Sequence, residues 1–194
     1  MSRPSHRPTL ATSPVGLGVL GLALAGFAFF AGRLGVVAAG GAPTFSTPWV
    51  TFLDVHLAFR LDGLSIVFAL LVTGTGSCVA LYALAYFRHH AYRERFFALL
   101  LLFMVAMVGL VLADDLILLF VFWELTTVAS FLLVGFDHDK QGARESARQA
   151  LLVTGAGGLA LLAGILLLGS ATGTWRVSAL LASDSPIQDH AYYP

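Results

Sequence analysis

The chain has 194 residues, of which 58% are hydrophobic and only 11% are charged, against roughly 25% in soluble domains. Eleven Lys and Arg residues balance eleven Asp and Glu residues, so the formal net charge is zero. High hydrophobicity excludes a disordered chain, and the lack of a basic excess excludes charge-driven binding to nucleic acid. One cysteine excludes a disulfide framework and a cysteine-based zinc site. The composition therefore predicts an integral membrane protein.

Five stretches are long and apolar enough to cross a bilayer, whose hydrocarbon core needs about 20 mostly apolar residues per helix. In chain order they are residues 15–39, 63–87, 96–113, 115–136 and 147–170. None has the alternation over about ten residues that is typical of a membrane β-barrel. We therefore expect an all-α integral membrane fold with about five transmembrane helices.

The basic residues predict the orientation, because cytoplasmic loops carry more Lys and Arg than external loops. With the N-terminus inside, eight of the eleven basic residues are cytoplasmic. These eight are Arg3, Arg7, Arg88, Arg93, Arg95, Lys140, Arg144 and Arg148. The first apolar run is longer than the core of a cleaved signal peptide, which favours a retained signal-anchor helix. We expect a multi-pass protein of the bacterial inner membrane, with residues 1–13 as a cytoplasmic tail, 14–170 as a five-helix bundle and 171–194 as an external polar tail.

The connections between the spans differ in character. Residues 43–62 are rich in β-branched and aromatic side chains with partial alternation, which predicts a short external β-hairpin. Asp114 and Asp115 form an abrupt polar break, so the third and fourth spans should be a tight antiparallel pair. Residues 174–181 are predicted to form a short interfacial helix, with Trp175 at the depth of the lipid headgroups.

Glu124 is the residue in the spans that most clearly indicates function. It follows Asp115 by nine residues, which places it about 13 Å deep along a helix, near the middle of the bilayer. A charge there costs about 2.5 to 3.5 kcal/mol on insertion scales, so ionisable residues at this depth commonly belong to proton or ion paths. The sequence favours a proton relay. It leaves open a structural glutamate that is neutral and hydrogen-bonded with help from Thr126, Thr127 and Ser130.

Other polar residues are weaker candidates. Asp114 and Asp115 are expected to be an interfacial loop break, with an entry point for cations as the alternative. His138 lies beyond the inner end of the fourth span, where it is either part of a solvated loop or an aid to proton exchange. No catalytic triad, phosphate loop or dinucleotide motif is present, and we expect neither a cofactor nor a metal ion.

Two stretches resemble a known family. Residues 59–65 read Phe-Arg-Leu-Asp-Gly-Leu-Ser, and residues 112–136 include Phe-Trp-Glu-Leu-Thr at 122–126. Both are similar to the antiporter-like subunits shared by Mrp-type multisubunit Na⁺/H⁺ antiporters and the proton pumps of respiratory complex I. The form of the second motif, with Gly155 and Gly158 in the next helix, is most similar to the A-type subunit of the Mrp antiporters. The resemblance implies that Glu124 is the family's buried glutamate, which pairs with a lysine on a later, broken helix.

The resemblance also implies that much of the family's unit is absent from this chain. All seven prolines lie at positions 4, 8, 14, 43, 48, 186 and 194, so no span is proline-broken, and Lys140 in a loop is the only lysine. We expect an N-terminal fragment that does not transport alone. Its expected partners are the remainder of the same polypeptide, other antiporter subunits and the lipid bilayer, with protons and Na⁺ as the transported ions. Two alternatives stay open: a proton-pumping subunit of an NADH–quinone oxidoreductase or related hydrogenase, and a non-transporting membrane scaffold.

Overall fold

A computed structural model describes residues 13–88, 90, 92–137 and 139–182. In chain order its elements are α1 (Pro14–Ala38), β1 (Thr44–Val50), β2 (Val55–Arg60), α2 (Gly63–Tyr86), α3 (Arg93–Leu112), α4 (Leu116–Val134), α5 (Gln141–Thr172) and α6 (Val177–Leu180). The first five α-helices are each long and apolar enough to span a membrane. The predicted all-α membrane fold with five spans is confirmed.

Short polar side chains set where several helices begin. Ser13 accepts a hydrogen bond from the Gly16 amide at the start of α1. Asp62 caps α2 through a reciprocal capping box with Ser65. Asp115 caps α4 by accepting hydrogen bonds from two amides of its first turn. These caps satisfy backbone donors that a helix leaves unpaired at its N-terminus, and they fix the ends of the spans.

Helix α5 begins six residues before the predicted start of the fifth span, at Gln141 instead of residue 147. Its 32 residues extend over about 48 Å, well beyond the roughly 30 Å hydrocarbon core. Residues 141–148 are mostly Gln, Ala, Glu and Arg, which favour helix but are too polar for the bilayer interior. Hydropathy therefore finds only the apolar part of α5.

The predicted hairpin between the first two spans is confirmed. Strands β1 and β2 pair antiparallel, from Thr44 opposite Arg60 to Val50 opposite Val55. Two further extended segments continue the pairing: the Asp114 amide donates to the Ala58 carbonyl over 2.8 Å, and the Leu116 amide donates to the Trp175 carbonyl over 2.9 Å. The hairpin, the α3–α4 link and the segment before α6 thus meet at one end of the bundle, here called the hairpin end.

Small residues allow the helices to pack closely. Ala80 of α2 and Ala106 of α3 are fully buried. Gly16 of α1 lies against the ring of Phe97, and Gly109 of α3 lies against the ring of Phe122. Such close approach favours helix association in lipid, because there the hydrophobic effect does not drive helices together and close van der Waals packing does. By contrast, α5 leaves long apolar side chains exposed, including Leu152, Val153, Leu159 and Leu167.

Candidate functional site

Glu124 lies in the middle of α4, nine residues after the capping Asp115, and its side chain is half-buried. Its carboxylate faces α5 and lies against Gly158 so closely that a Cβ atom at position 158 would overlap Oε1. The indole nitrogen of Trp123 is on the same side, 3.7 Å from the place such a Cβ would take. Gly158 therefore makes room for the carboxylate between the two helices.

Within the described part of the chain, Glu124 makes no hydrogen bond or ion pair. Charge at membrane depth is usually paired or hydrogen-bonded, because the hydrocarbon does not solvate it. The surroundings of Glu124 depart from this pattern within the described residues.

The hydroxyl groups that sequence reasoning associates with Glu124 bond elsewhere. Thr126 and Thr127 donate to the Trp123 carbonyl over 2.7 and 3.2 Å, and Ser130 donates to the Thr126 carbonyl over 2.5 Å. Each acceptor belongs to the preceding turn of α4, which is always within reach of a helical Ser or Thr side chain. None of these hydroxyls forms the network with Glu124 that the structural alternative describes. A role for these hydroxyls in a proton path stays a prediction.

Asp114 and Asp115 lie in the link between α3 and α4, as expected of a break between two spans, but both are buried. Their exposed fractions are 3% and 0%, because the hairpin and residues 175–178 cover them. Asp115 accepts hydrogen bonds from the amides of Ile117, Leu118 and His56. Asp114 accepts from Ser178, through its amide over 2.9 Å and its hydroxyl over 2.8 Å. Nothing in the residue pattern indicates that segments so distant in the chain enclose the pair.

Arg176 completes the surroundings of Asp114. Its Nη1 atom lies 3.5 Å from an Asp114 carboxylate oxygen, and its Nη2 atom donates to the Ser46 hydroxyl of β1 over 2.6 Å. Beside this contact lies an open cavity of about 670 Å³ that extends to Trp123. Its acidic lining residues are Asp62 and Asp114, and both accept hydrogen bonds from backbone amides. The amide of Ser65 lowers the pKa of Asp62.

The remaining predicted site residue, His138, lies outside the described residues. In the part of the chain that is described, no three His, Cys, Asp or Glu side chains are grouped as a metal ion would require. Sequence reasoning uses Gly158 as a mark of the family resemblance, and it does not connect Arg176 with the acidic pair. Only the spatial contact between α4 and α5 identifies Gly158 as part of the site around Glu124.

Two regions of the chain match described families. Residues 49–97 match the family described as NADH-ubiquinone oxidoreductase (complex I), chain 5 N-terminus. Residues 113–190 match the family described as NADH:quinone oxidoreductase/Mrp antiporter, TM. The second region contains both Glu124 and Gly158.

Curated relatives match most of this chain. It is 44% identical over 172 residues to a probable K⁺/H⁺ antiporter A/B subunit of Rhizobium meliloti, a match that covers 89% of this chain and 17% of the relative. It is 40% identical over 164 residues to the A-type subunit of a Na⁺/H⁺ antiporter of Alkalihalophilus pseudofirmus, a match that covers 84% of this chain and 20% of the relative. The chain therefore spans about a fifth of the length of these relatives.

Solved structures share the fold. The Mrp complex from Dietzia sp. DQ12-45-1b matches with a TM-score of 0.71 and 34% identity, over 91% of this chain and 18% of that chain. An archaeal membrane-bound sulfane sulfur reductase matches with a TM-score of 0.70 over 90% of this chain and 27% of that chain, but at 20% identity it shows only the common fold. Over most of its length the chain is therefore similar to the A-type subunits of Mrp antiporters, and its residues 113–190 match the NADH:quinone oxidoreductase/Mrp antiporter family.

Proposed function

We infer that this chain is part of a membrane subunit that exchanges a monovalent cation for protons, and that Glu124 carries protons in that exchange. The observation that supports the relay most directly is the Glu124 carboxylate, which lies at mid-helix against Gly158 without an ion pair among the described residues. The relatives are named for Na⁺/H⁺ and K⁺/H⁺ exchange. We propose Na⁺ as the cation and transport, not an enzymatic reaction, as the activity.

The chain supplies one half of the ionisable pair that the family resemblance implies. Its one lysine, Lys140, precedes α5 and pairs with Asp137 over 2.6 Å, far in sequence from Glu124. A basic partner for Glu124 would come from the rest of a longer polypeptide, since the chain spans about a fifth of its relatives' length. We propose that this remainder, other antiporter subunits and lipid cover the exposed apolar side of α5.

The proposed location is a bacterial cell membrane with the N-terminus in the cytoplasm. Ser13 before α1 donates to Glu94 of α3 over 2.7 Å, so the start of α1 lies at the end of the bundle opposite the hairpin. Arg88, Arg93 and Arg95 lie at that same end, between α2 and the first turn of α3. The excess of basic residues there supports a cytoplasmic position for it.

Replacement of Glu124 by Gln in the complete antiporter complex tests the relay, because an amide of similar shape does not exchange a proton. We expect cation-driven proton transport in membrane vesicles to fall by at least about tenfold, as for the loss of a proton-transfer group, while the complex assembles normally. Glu145→Gln is the matched control, since Glu145 is an exposed carboxylate on α5. Full transport by the Glu124→Gln complex would support the scaffold alternative.

The antiporter interpretation is preferred to a respiratory proton pump because identity to the A-type antiporter relatives reaches 40–44%. The respiratory structure supports only the fold. We also propose that the segment does not transport by itself. This is tested by reconstitution of the chain alone in vesicles, where a measurable Na⁺- or pH-driven proton flux would contradict the proposal.

A further inference from the structure

The acidic pair between α3 and α4 connects three segments that are far apart in the chain. Asp115 Oδ2 accepts a hydrogen bond from the His56 amide of β2 over 3.1 Å. Asp114 receives two hydrogen bonds from Ser178 and lies 3.5 Å from Arg176, both in the segment that follows α5. We call these five residues, His56, Asp114, Asp115, Arg176 and Ser178, the hairpin-end cluster.

The hairpin-end cluster joins the two helices that enclose the Glu124 carboxylate. Asp115 caps α4, and its other oxygen joins the start of this helix to the His56 amide of the hairpin. Arg176 follows α5, and the backbone of Asp114 and Leu116 pairs with residues 175–177 through two hydrogen bonds of 3.0 and 2.9 Å. The outer ends of α4 and α5 are thus held to each other, and Glu124 meets Gly158 further along the same two helices.

A second contact connects the hairpin to α4 nearer to Glu124. The rings of Phe59 in β2 and Phe122 in α4 have centroids 6.0 Å apart. Phe122 is two residues from Glu124 and also fills the space beside Gly109 of α3. A change in the hairpin-end cluster would therefore reach Glu124 through both the start of α4 and this aromatic contact.

The carboxylate oxygens of Asp114 and Asp115 are all engaged by donors of the protein. Each of their four carboxylate oxygens accepts at least one hydrogen bond from the protein. Both side chains are almost completely inaccessible to solvent. A cation that entered here would have to displace these donors, and a buried donor without an acceptor is costly.

We propose that Asp114 and Asp115 are positioning residues for the proton relay and lie outside the ion path: the hairpin-end cluster sets the relative position of α4 and α5, and thereby the surroundings of the Glu124 carboxylate. This proposal rests on the proposed function of Glu124. Loosening the cluster changes the pH dependence and the maximal rate of transport and leaves the apparent cation affinity unchanged.

The test uses Asp114→Asn, Arg176→Gln and the double variant in the complete antiporter complex, with Glu145→Gln as the control for an exposed carboxylate outside the cluster. We expect both single variants to lower the maximal rate and to shift the pH of half-maximal transport by about 0.5 unit, with the cation KM changed by less than about twofold. The double variant should be no worse than the more affected single variant, because both remove the same contact. The maximal rate and the pH of half-maximal transport of Arg176→Lys should be closer to those of the unsubstituted complex than the values of Arg176→Gln are.

Three results overturn the proposal. One is a rise of about fivefold or more in the cation KM for Asp114→Asn but not for Arg176→Gln, which would place Asp114 in the ion path. Another is an unchanged rate and pH profile in both single variants while Glu124→Gln abolishes transport; this would reject the positioning role and leave the relay intact. The third is additive effects in the double variant. If Asp114→Asn does not assemble, Arg176→Gln and Ser178→Ala disturb the same cluster from its other side.

Discussion

The carboxylate of Glu124 in α4 lies directly against the backbone of Gly158 in α5, and the missing side chain of the glycine provides the space that the carboxylate fills. The two helices therefore meet around an ionisable group at mid-helix depth. Gly155, one turn earlier on α5, has open space at its Cβ position. The contact with α4 is thus made at position 158 and is not shared by Gly155.

Gly158→Ala should reduce transport strongly, because the new methyl group overlaps Glu124 Oε1 and displaces the carboxylate. A shift of about 1 Å in a reacting group can cost about 100-fold in rate, so we expect a loss of at least about tenfold. The measurement is cation-driven proton transport in vesicles that contain the complete complex. Gly155→Ala is the control and should transport normally. Equal behaviour of the two variants would contradict the assigned contact.

Gly109→Ala should destabilise the packing of α3 against α4, because the Cβ atom overlaps the ring of Phe122. Forcing an extra methyl group into a packed site costs about 1–3 kcal/mol, which should lower the thermal unfolding midpoint of the solubilised complex. Gly76→Ala offers a comparison, since its Cβ meets the flexible end of Met104, which can move aside. We expect a smaller change in the unfolding midpoint for Gly76→Ala. A larger change for Gly76→Ala than for Gly109→Ala would contradict the assigned contact between Gly109 and Phe122.

Asp62→Asn should alter how stability depends on acidity. The Ser65 amide lowers the pKa of Asp62 below its usual value of 3.8, so the ionised carboxylate stabilises the start of α2. A carboxyl group with a lowered pKa contributes fully above its unfolded-state pKa, and the contribution disappears as the pH falls through the lowered pKa. The difference in unfolding midpoint between the unsubstituted and Asp62→Asn complexes should therefore be constant near neutrality and shrink below about pH 4. A difference that grows on acidification would contradict the cap.

Asp115→Ala should be more damaging than Asp115→Asn. The alanine removes the cap of α4 and the hydrogen bond from His56, whereas asparagine keeps one oxygen for the cap and loses only the acceptor for His56. Loss of a cap costs about 1 kcal/mol, and the buried amide donors left without an acceptor add to it. The amount of assembled complex and its unfolding midpoint measure the effect. Similar values for the two variants would reject the capping role.

Hydropathy predicts the membrane spans because lipid requires mostly apolar side chains along the whole membrane-spanning part of each helix. It predicts the second span at residues 63–87, and α2 covers Gly63–Tyr86. The hairpin is likewise a local feature, since β-branched and aromatic residues fill both strands and their pairing partners are close in the chain. Hydropathy misses the start of α5 at Gln141 because helix formation continues into polar residues beyond the bilayer.

Contacts between distant segments lie beyond sequence reasoning. The polar pair Asp114 and Asp115 has the composition of an exposed turn, yet Arg176 and Ser178 arrive from more than sixty residues away to cover Asp114. Likewise, Thr126 and Ser130 are on the same helix as Glu124 and are candidate partners in the structural alternative, but their hydroxyls bond to local backbone acceptors. The spacing of these residues in the sequence does not predict either outcome.

The sequence by itself determined that five apolar helices cross a membrane, that a hairpin follows the first, and that one carboxyl group lies deep in the fourth, since each follows from the cost of placing polar atoms in hydrocarbon. Only the tertiary structure decided that this carboxyl group faces Gly158, and that the two aspartates are enclosed and hydrogen-bonded. The reason is geometric: which faces of two helices meet depends on how all the helices pack together, and no local pattern of residues encodes it.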